Sequence, residues 1–253
     1  MGIFIKNADQ IEKMRVASKI VADTHSLLEK NIRPGVSTKE LNTIAEEYIR
    51  SKGAEPSFLG YEMTGKGFPA AICVSINDEV IHGIPGLRRL KNGDIVSIDI
   101  GAYINRFHGD AARTYPVGTV LPERQLLVDV TKQSFFEAMN YARHGRHLHE
   151  ISSAVEEYVE RYGFSIVREF CGHGVGRKMH EDPQIPHYRQ QSRGPRIQRG
   201  MTLAIEPMVV MGKPDIRILN DNWTVVTKDG KCAAHYENTV AITDGEPDIL
   251  TLN

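Results

Sequence analysis

Apolar positions along the chain define its first elements. Ile11, Met14, Ala17, Val21 and Leu28 recur at three- and four-residue steps or their multiples, which predicts one apolar helical face. Arg33-Pro34-Gly35 breaks that period. Ser37-Thr38-Lys39-Glu40 then reads as a capping box, with hydroxyl and carboxylate taking orphan amides at the start of a second helix. Leu41, Ile44, Ala45 and Tyr48 supply its apolar face, and Gly53 is a natural stop. Ile95, Val96, Ile98, Ile100, Tyr103 and Ile104 are β-prone. Two further apolar runs, 202–210 and 236–242, each hold an acid, Glu206 and Glu237. No apolar run approaches the roughly eighteen residues of a membrane helix.

The pattern repeats. Residues 33–53 and 143–163 align without gaps, with seven identities in 21 positions: Arg33/Arg143, Gly35/Gly145, Glu40/Glu150, Glu46/Glu156, Glu47/Glu157, Tyr48/Tyr158 and Gly53/Gly163. The order continues downstream. His82-Gly83-Ile84 parallels His173-Gly174-Val175. Gly93 stands six residues before Asp99, as Gly200 stands six before Glu206. His108-Gly109-Asp110 parallels His235-Tyr236-Glu237. We therefore expect one domain over 1–253, built of two pseudo-symmetric halves, roughly 1–120 and 121–253, with a shared site where they meet.

Composition narrows the class. A chain of 253 residues buries roughly three quarters of its unfolded surface and needs no disulfide or metal simply to fold. Lys+Arg minus Asp+Glu is 31 − 32 = −1, which argues against a strongly basic nucleic-acid binder. Cys73, Cys171 and Cys232 are far apart and form neither a disulfide framework nor a Cys zinc site. With a polar start at Lys6 and no signal-peptide core, a soluble cytoplasmic protein is expected.

The acids carry the candidate chemistry. A two-residue turn at Ile104-Asn105 would pair Tyr103 with Arg106, Gly101 with His108 and Asp99 with Asp110. The two acids would then lie directly opposite on one face, with Cβ atoms about 5 Å apart. Such a pair needs a shared proton, an Arg or Lys, or a metal; otherwise it is a salt-bridged surface ladder. Glu206 and Glu237 tip the reading, because an acid in an apolar run is seldom buried without a partner. If the halves meet, four carboxylates converge, and two divalent cations would neutralise them. His173, in Cys171-Gly172-His173-Gly174-Val175-Gly176, supplies a nitrogen where glycines let backbones approach. Histidines 25, 108, 144, 147, 149, 187 and 235 are expected to be mostly solvated, with 108 and 235 beside the site at most.

Together, Ser75-Ile76-Asn77 through His82-Gly83-Ile84-Pro85, Asp99, Asp110, Gly172-His173-Gly174, His180-Glu181, Ile205-Glu206-Pro207 and Tyr236-Glu237-Asn238-Thr239 resemble the type I, bacterial-type methionine aminopeptidases. The resemblance spans nearly the whole chain. It implies the α+β pita-bread fold: two pseudo-symmetric halves, antiparallel sheet covered by helices and a central dinuclear metal site. It places the metal ligands on Asp99, Asp110, His173, Glu206 and Glu237, with Glu206 also the general base. His180 would stabilise the oxyanion, and His82 would hold the amide beyond the scissile bond. Tyr61, Cys73 and Trp223 would line the methionine pocket, with Phe58, Phe68 and Met179 nearby. The segment Glu62–Gly67 looks longer than in the bacterial enzymes, and Met179 stands where they often carry an aromatic.

The implied reaction is removal of initiator methionine from nascent proteins when the second residue is small; this chain begins Met1-Gly2, itself such a substrate. Implied cofactors are two divalent ions (Co, Mn, Fe or Zn, which the donors do not distinguish) and one structural monovalent cation on backbone carbonyls near Asn77, Glu79 and Ala233. A monomer is implied, working near the ribosome exit tunnel, with no membrane and no sequence-specific nucleic acid. Arg88, Arg89 and Lys91 read as a solvated loop rather than an RNA contact. The alternatives are a proline-specific peptidase of the same fold, disfavoured because the repeat starts almost at once, and a non-catalytic pita-bread binding protein, disfavoured because every ligand is kept. The motif order does not suggest a two-metal phosphohydrolase.

Overall fold

Asn7 opens the first helix. Its side chain accepts the Gln10 N–H, and the Gln10 side chain accepts the Asn7 N–H in return. Helix α1 (Ala8–Glu29) buries Met14, Ala17, Val21 and Leu28, as its periodicity predicts. These features come from a computed structural model that describes residues 2–62 and 65–253. Helix α2 (Thr38–Ser51) begins with the expected Ser37/Glu40 box and buries Leu41, Ala45 and Ile49, leaving Ile44 and Tyr48 half-buried. Helices α3 (Pro122–Met139) and α4 (Leu148–Glu160) pack on each other.

The aligned segments share local geometry. Gly35 N–H donates to Leu90 O at 2.8 Å and Gly145 N–H to Ile197 O at 2.9 Å. Arg89 donates back to Gly35 O at 2.6 Å, and Arg196 to Gly145 O at 2.7 Å. Both glycines stand at positive φ, +92° and +88°, which side chains rarely adopt and which explains the matched Gly. Glu150 takes the His147 N–H at 2.8 Å as Glu40 takes the Ser37 N–H at 2.8 Å.

Among the described residues every strand pairing is antiparallel. The ten-residue strands Ile95–Ile104 and Phe107–Pro116 form a hairpin; Ile72–Ile76 and Glu55–Pro56 pair with the first of them. A five-stranded sheet runs Asp248–Ile249, Asn238–Ala241, Thr202–Ile205, Gly172–Gly174, Glu181–Ile185. A smaller sheet joins the halves by pairing Glu79–Ile81 with Val225–Thr227. Helix α1 covers the long hairpin, and α3 packs against Ala233–His235 and Met208–Val210. Two separate large cores result, one around Leu28, Leu41, Ile72 and Ile98, the other around Phe135, Ile151, Leu203 and Val240.

Two threonines sew the seam between the cores. Thr239 Oγ1 accepts the Asp110 N–H at 3.0 Å and donates to the Asp110 carbonyl at 2.9 Å. Thr114 Oγ1 does the same to His235, both at 2.9 Å. Arg113 reaches across to Glu237 O, to Asn238 Oδ1 at 2.6 Å and to Thr251 O at 3.2 Å. Among the described residues no helix is long and apolar enough to cross a membrane.

Candidate metal centre

The long hairpin carries the first two acids in a register that differs from expectation. Its turn is Asn105-Arg106, both at positive φ (+54° and +69°), the pattern of a type I′ turn. Ile104 stays in the strand opposite Phe107, since a β-branched residue is poorly suited to that conformation. Asp110 therefore pairs with Gly101 and Asp99 with Ala112, so the acids are diagonal neighbours rather than directly opposed. The register moved by an even step, which leaves both acids on one sheet face.

Glu206 and Glu237 come from the ends of neighbouring strands in the other half. Ile205 pairs with Asn238, and one further step along that register sets Glu206 against Glu237. Glu237 N–H crosses the seam to Ala112 O at 2.9 Å, bringing the second pair onto the first. All four carboxylates line one cavity.

His173 sits on a strand flanked by Gly172 and Gly174. A Cβ on Gly172 would overlap Ala204 O, and one on Gly174 would overlap Asp182 O, so the glycines permit the close backbone approach expected of them. Nδ1 of His173 bonds Gly174 O at 2.8 Å. That bond assigns the proton to Nδ1 and leaves Nε2 as a lone-pair donor, 3.7 Å from Asp110 Oδ2 and 3.5 Å from Glu206 Oε1.

The electrostatics favour a cation. Asp99 Oδ1, Asp110 Oδ1 and Glu237 Oε1 are buried with no hydrogen-bond partner. Burial pushes the Asp99 carboxyl up to about 6. It pushes Asp110, Glu206 and Glu237 well above the usual carboxylate range, with repulsion among the acids adding to the effect. Arg113, the nearby cation, spends its donors on main-chain carbonyls and Asn238. Donor atoms of Asp110, His173 and Glu237 lie within 4.8 Å of one another, as do those of Glu206, His235 and Glu237. Oxygen-rich donors with a nitrogen and stranded lone pairs fit divalent metal.

The remaining expected residues surround these acids. Tyr61, Cys73 and Trp223, with Phe58 and Phe68, line the same cavity of about 50 Å³. Met179 is buried in the apolar cluster with them. Tyr61 does more than line the wall, for its hydroxyl bonds His180 Nδ1 at 2.6 Å. His82 stands at φ +59°, edge-on to Trp223 and Phe170. His82, His173, His180 and Glu206 also border a wider groove of about 570 Å³ that passes Phe170 and Gln184. Of the Glu62–Gly67 segment, Met63 and Thr64 lie outside the described residues, as does Met1. Arg88 and Arg89 are engaged locally, with Glu79 at 2.7 Å and Glu40 at 3.4 Å.

Two histidines, His25 and His187, depart from the expected solvated state, and His235 takes the place beside the site allowed for it. His25, His187 and His235 are buried. His25 spans Tyr115 Oη and Ala111 O across the seam with α1. His187 Nε2 accepts the Glu206 N–H at 3.1 Å, and His235 Nε2 lies 3.4 Å from Glu206 Oε2. Strand parity agrees with the place of His235, two residues before Glu237 and so on its face; nothing local marks His187. His108 is half-buried, on Ser57 Oγ at 2.9 Å.

Residues 12–244 match metallopeptidase family M24. The chain is similar to methionine aminopeptidase 1 of Bacillus subtilis, 53% identical over 249 residues, covering 98% of this chain and 99% of that one. In structure it is similar to methionine aminopeptidase from Thermotoga maritima, with TM-score 0.96, 42% identity and complete coverage, 100%, of both chains. A prolidase from Pyrococcus furiosus shares the fold at TM-score 0.79 and 24% identity; the match covers 98% of this chain and 65% of the prolidase.

Proposed function

The chain belongs to metallopeptidase family M24 and, within it, to the bacterial-type methionine aminopeptidases, and from that membership we propose which of its residues do what. It is a metallo-exopeptidase of the α+β pita-bread fold, and it removes initiator methionine from nascent proteins. It binds divalent metal.

In our reading two ions are held by Asp99, Asp110, His173, Glu206 and Glu237. When bound, such ions supply Lewis acidity toward the scissile carbonyl and toward water. Glu206 accepts the proton of the attacking water. We take Tyr61 as the donor in its 2.6 Å bond to His180 Nδ1; the proton then sits on Nε2, from which His180 donates to the carbonyl oxygen as it becomes negative. His82 bonds the amide beyond the cleaved bond and steadies the leaving group. Tyr61, Cys73 and Trp223 enclose the methionine side chain. The second residue would lie where this cavity meets the wider groove, beside His82, His173, His180 and Glu206, which border both. A structural monovalent cation near Asn77, Glu79 and Ala233 would share the Asn77 carbonyl, which accepts the Ala233 N–H at 2.8 Å. The free thiols Cys73, Cys171 and Cys232 suit a reducing cytoplasm. Action as a monomer on chains leaving the ribosome completes the proposal.

One observation carries this reading: the four acids and the apolar wall line the same cavity of about 50 Å³. A small apolar-walled pocket beside the acids suits the side chain of a terminal residue, as an exopeptidase needs. The test is cleavage of Met-Ala-Ser against Met-Pro and Xaa-Pro peptides after chelation and metal re-addition. Metal-dependent release of Met from Met-Ala-Ser is expected. Its absence would sink the proposal, and preference for Xaa-Pro bonds would favour a proline-specific peptidase.

A further inference from the structure

Glu206 has more partners than its role as ligand and base uses. Its Oε1 faces His173 Nε2 at 3.5 Å, and its Oε2 faces His235 Nε2 at 3.4 Å. Its backbone N–H is fixed on His187 at 3.1 Å. The carboxylate thus lies between two imidazoles, of which only one belongs to the ligand set. His235 is 2% exposed, and its Nε2 is buried without a hydrogen-bond partner. A polar nitrogen left in that state costs stability unless something in the working site satisfies it. Its backbone is held from both sides by Thr114, and its strand is paired at Met208, two residues past Glu206. The ring therefore approaches Glu206 from a rigid frame, at a distance that a small turn of the carboxylate closes to a hydrogen bond.

We propose that His235 is a positioning residue for Glu206: Nε2–H donates to Oε2 and so aims Oε1 at the metal side. The inference rests on Glu206 belonging to the metal centre. Partners that orient a ligating carboxylate typically matter 10–100-fold for metal affinity or activity.

The test titrates chelated protein with Mn²⁺ alone by calorimetry, for wild type, His235→Leu, His235→Asn and His235→Gln. Gln carries its amide donor to about the place of Nε2; Leu has no donor and Asn does not reach. Leu and Asn are expected to weaken Mn²⁺ binding about 10–100-fold, and Gln to restore it to within about threefold, with the visible Co²⁺ spectrum of His235→Gln unchanged. Wild-type affinity in both Leu and Asn would overturn the inference. So would a Gln variant as weak as Leu, which would mean that the imidazole itself is needed. If Leu fails to fold, the Gln and Asn pair decides alone. Wild-type protein that binds no Mn²⁺ would overturn the metal-centre assignment as well, which separates that failure from this one.

Discussion

The two halves place their acids differently. In the first, Asp99 and Asp110 sit diagonally in the middle of a continuous ten-residue ladder. In the second, Glu206 and Glu237 stand at the end of a short one, where the pairing of Ile205 with Asn238 stops. The longer Glu side chains issue from a break between two short ladders, which resume where Met208 pairs with His235, and the shorter Asp side chains from within an unbroken one. The imidazoles follow the same division, because His173, His187 and His235, which surround Glu206, all lie in the second half. The first half contributes Tyr61, Cys73 and His82 to the cavity wall. Repeated frames thus hold different chemistry: a stiff acidic and apolar face on one side, an adjustable carboxylate among nitrogens on the other.

If that division is right, the second-half base is the more costly to lose. Glu206→Gln should fold, bind metal more weakly and turn over about 10²–10⁴-fold more slowly on Met-Ala-Ser, since general acid–base catalysis is of that size. Turnover like the wild type would move the chemistry out of the second half.

A smaller effect concerns the cost of the first-half acids without metal. Burial pushes the Asp99 carboxyl from the ordinary 3.8 up to about 6. An acid raised in the folded state is bound to its proton more tightly there, so its penalty grows as pH rises from about 4 to about 6. In chelator, Asp99→Asn should be more stable than wild type by about 3 kcal/mol at neutral pH, the gap closing near pH 4. The comparison must be with wild type at each pH. The buried His173, His187 and His235, depressed chiefly by burial to about 3, about 3 and about 4, give the opposite slope, gaining stability as pH rises. Denaturant unfolding of both proteins checks it, and a gap independent of pH would refute it.

The smallest effect tests the likeness beneath the difference. Gly35→Ala and Gly145→Ala meet open space, so their cost is only that of a side chain at φ near +90°. Each should lower stability by about 1–2 kcal/mol, and by equal amounts, in denaturant unfolding. Unequal losses would mean that the two corners share a shape but not a strain.

Much of this division was legible in the residues. The Ser37/Glu40 box, the helical face through Leu28 and the gathering of four acids follow from local chemistry and parity along strands. The hairpin register did not, because it hinged on whether Ile104 or Arg106 would take a positive φ, a choice that turn chemistry makes. His235 was legible as a neighbour of the site, from its place two residues before Glu237. His187 reaches Glu206 from a loop whose approach only the assembled sheet determines. The roles proposed for Tyr61, Cys73 and Trp223 rest on family likeness, since apolar residues carry no mark that separates pocket from core.

Arg113 and the two seam threonines have a consequence for the order of assembly. Asp110 is held by Thr239, 129 residues onward, and Arg113 by Thr251, 138 residues onward. During vectorial synthesis the first hairpin can fold with its acids on display long before the strands that complete the centre exist. Contacts so far apart in the chain form late, after the loop-closure entropy has been met. A half-made chain therefore carries two of the four acids, Asp99 and Asp110, and the centre is complete only once Glu206 and Glu237 have been made.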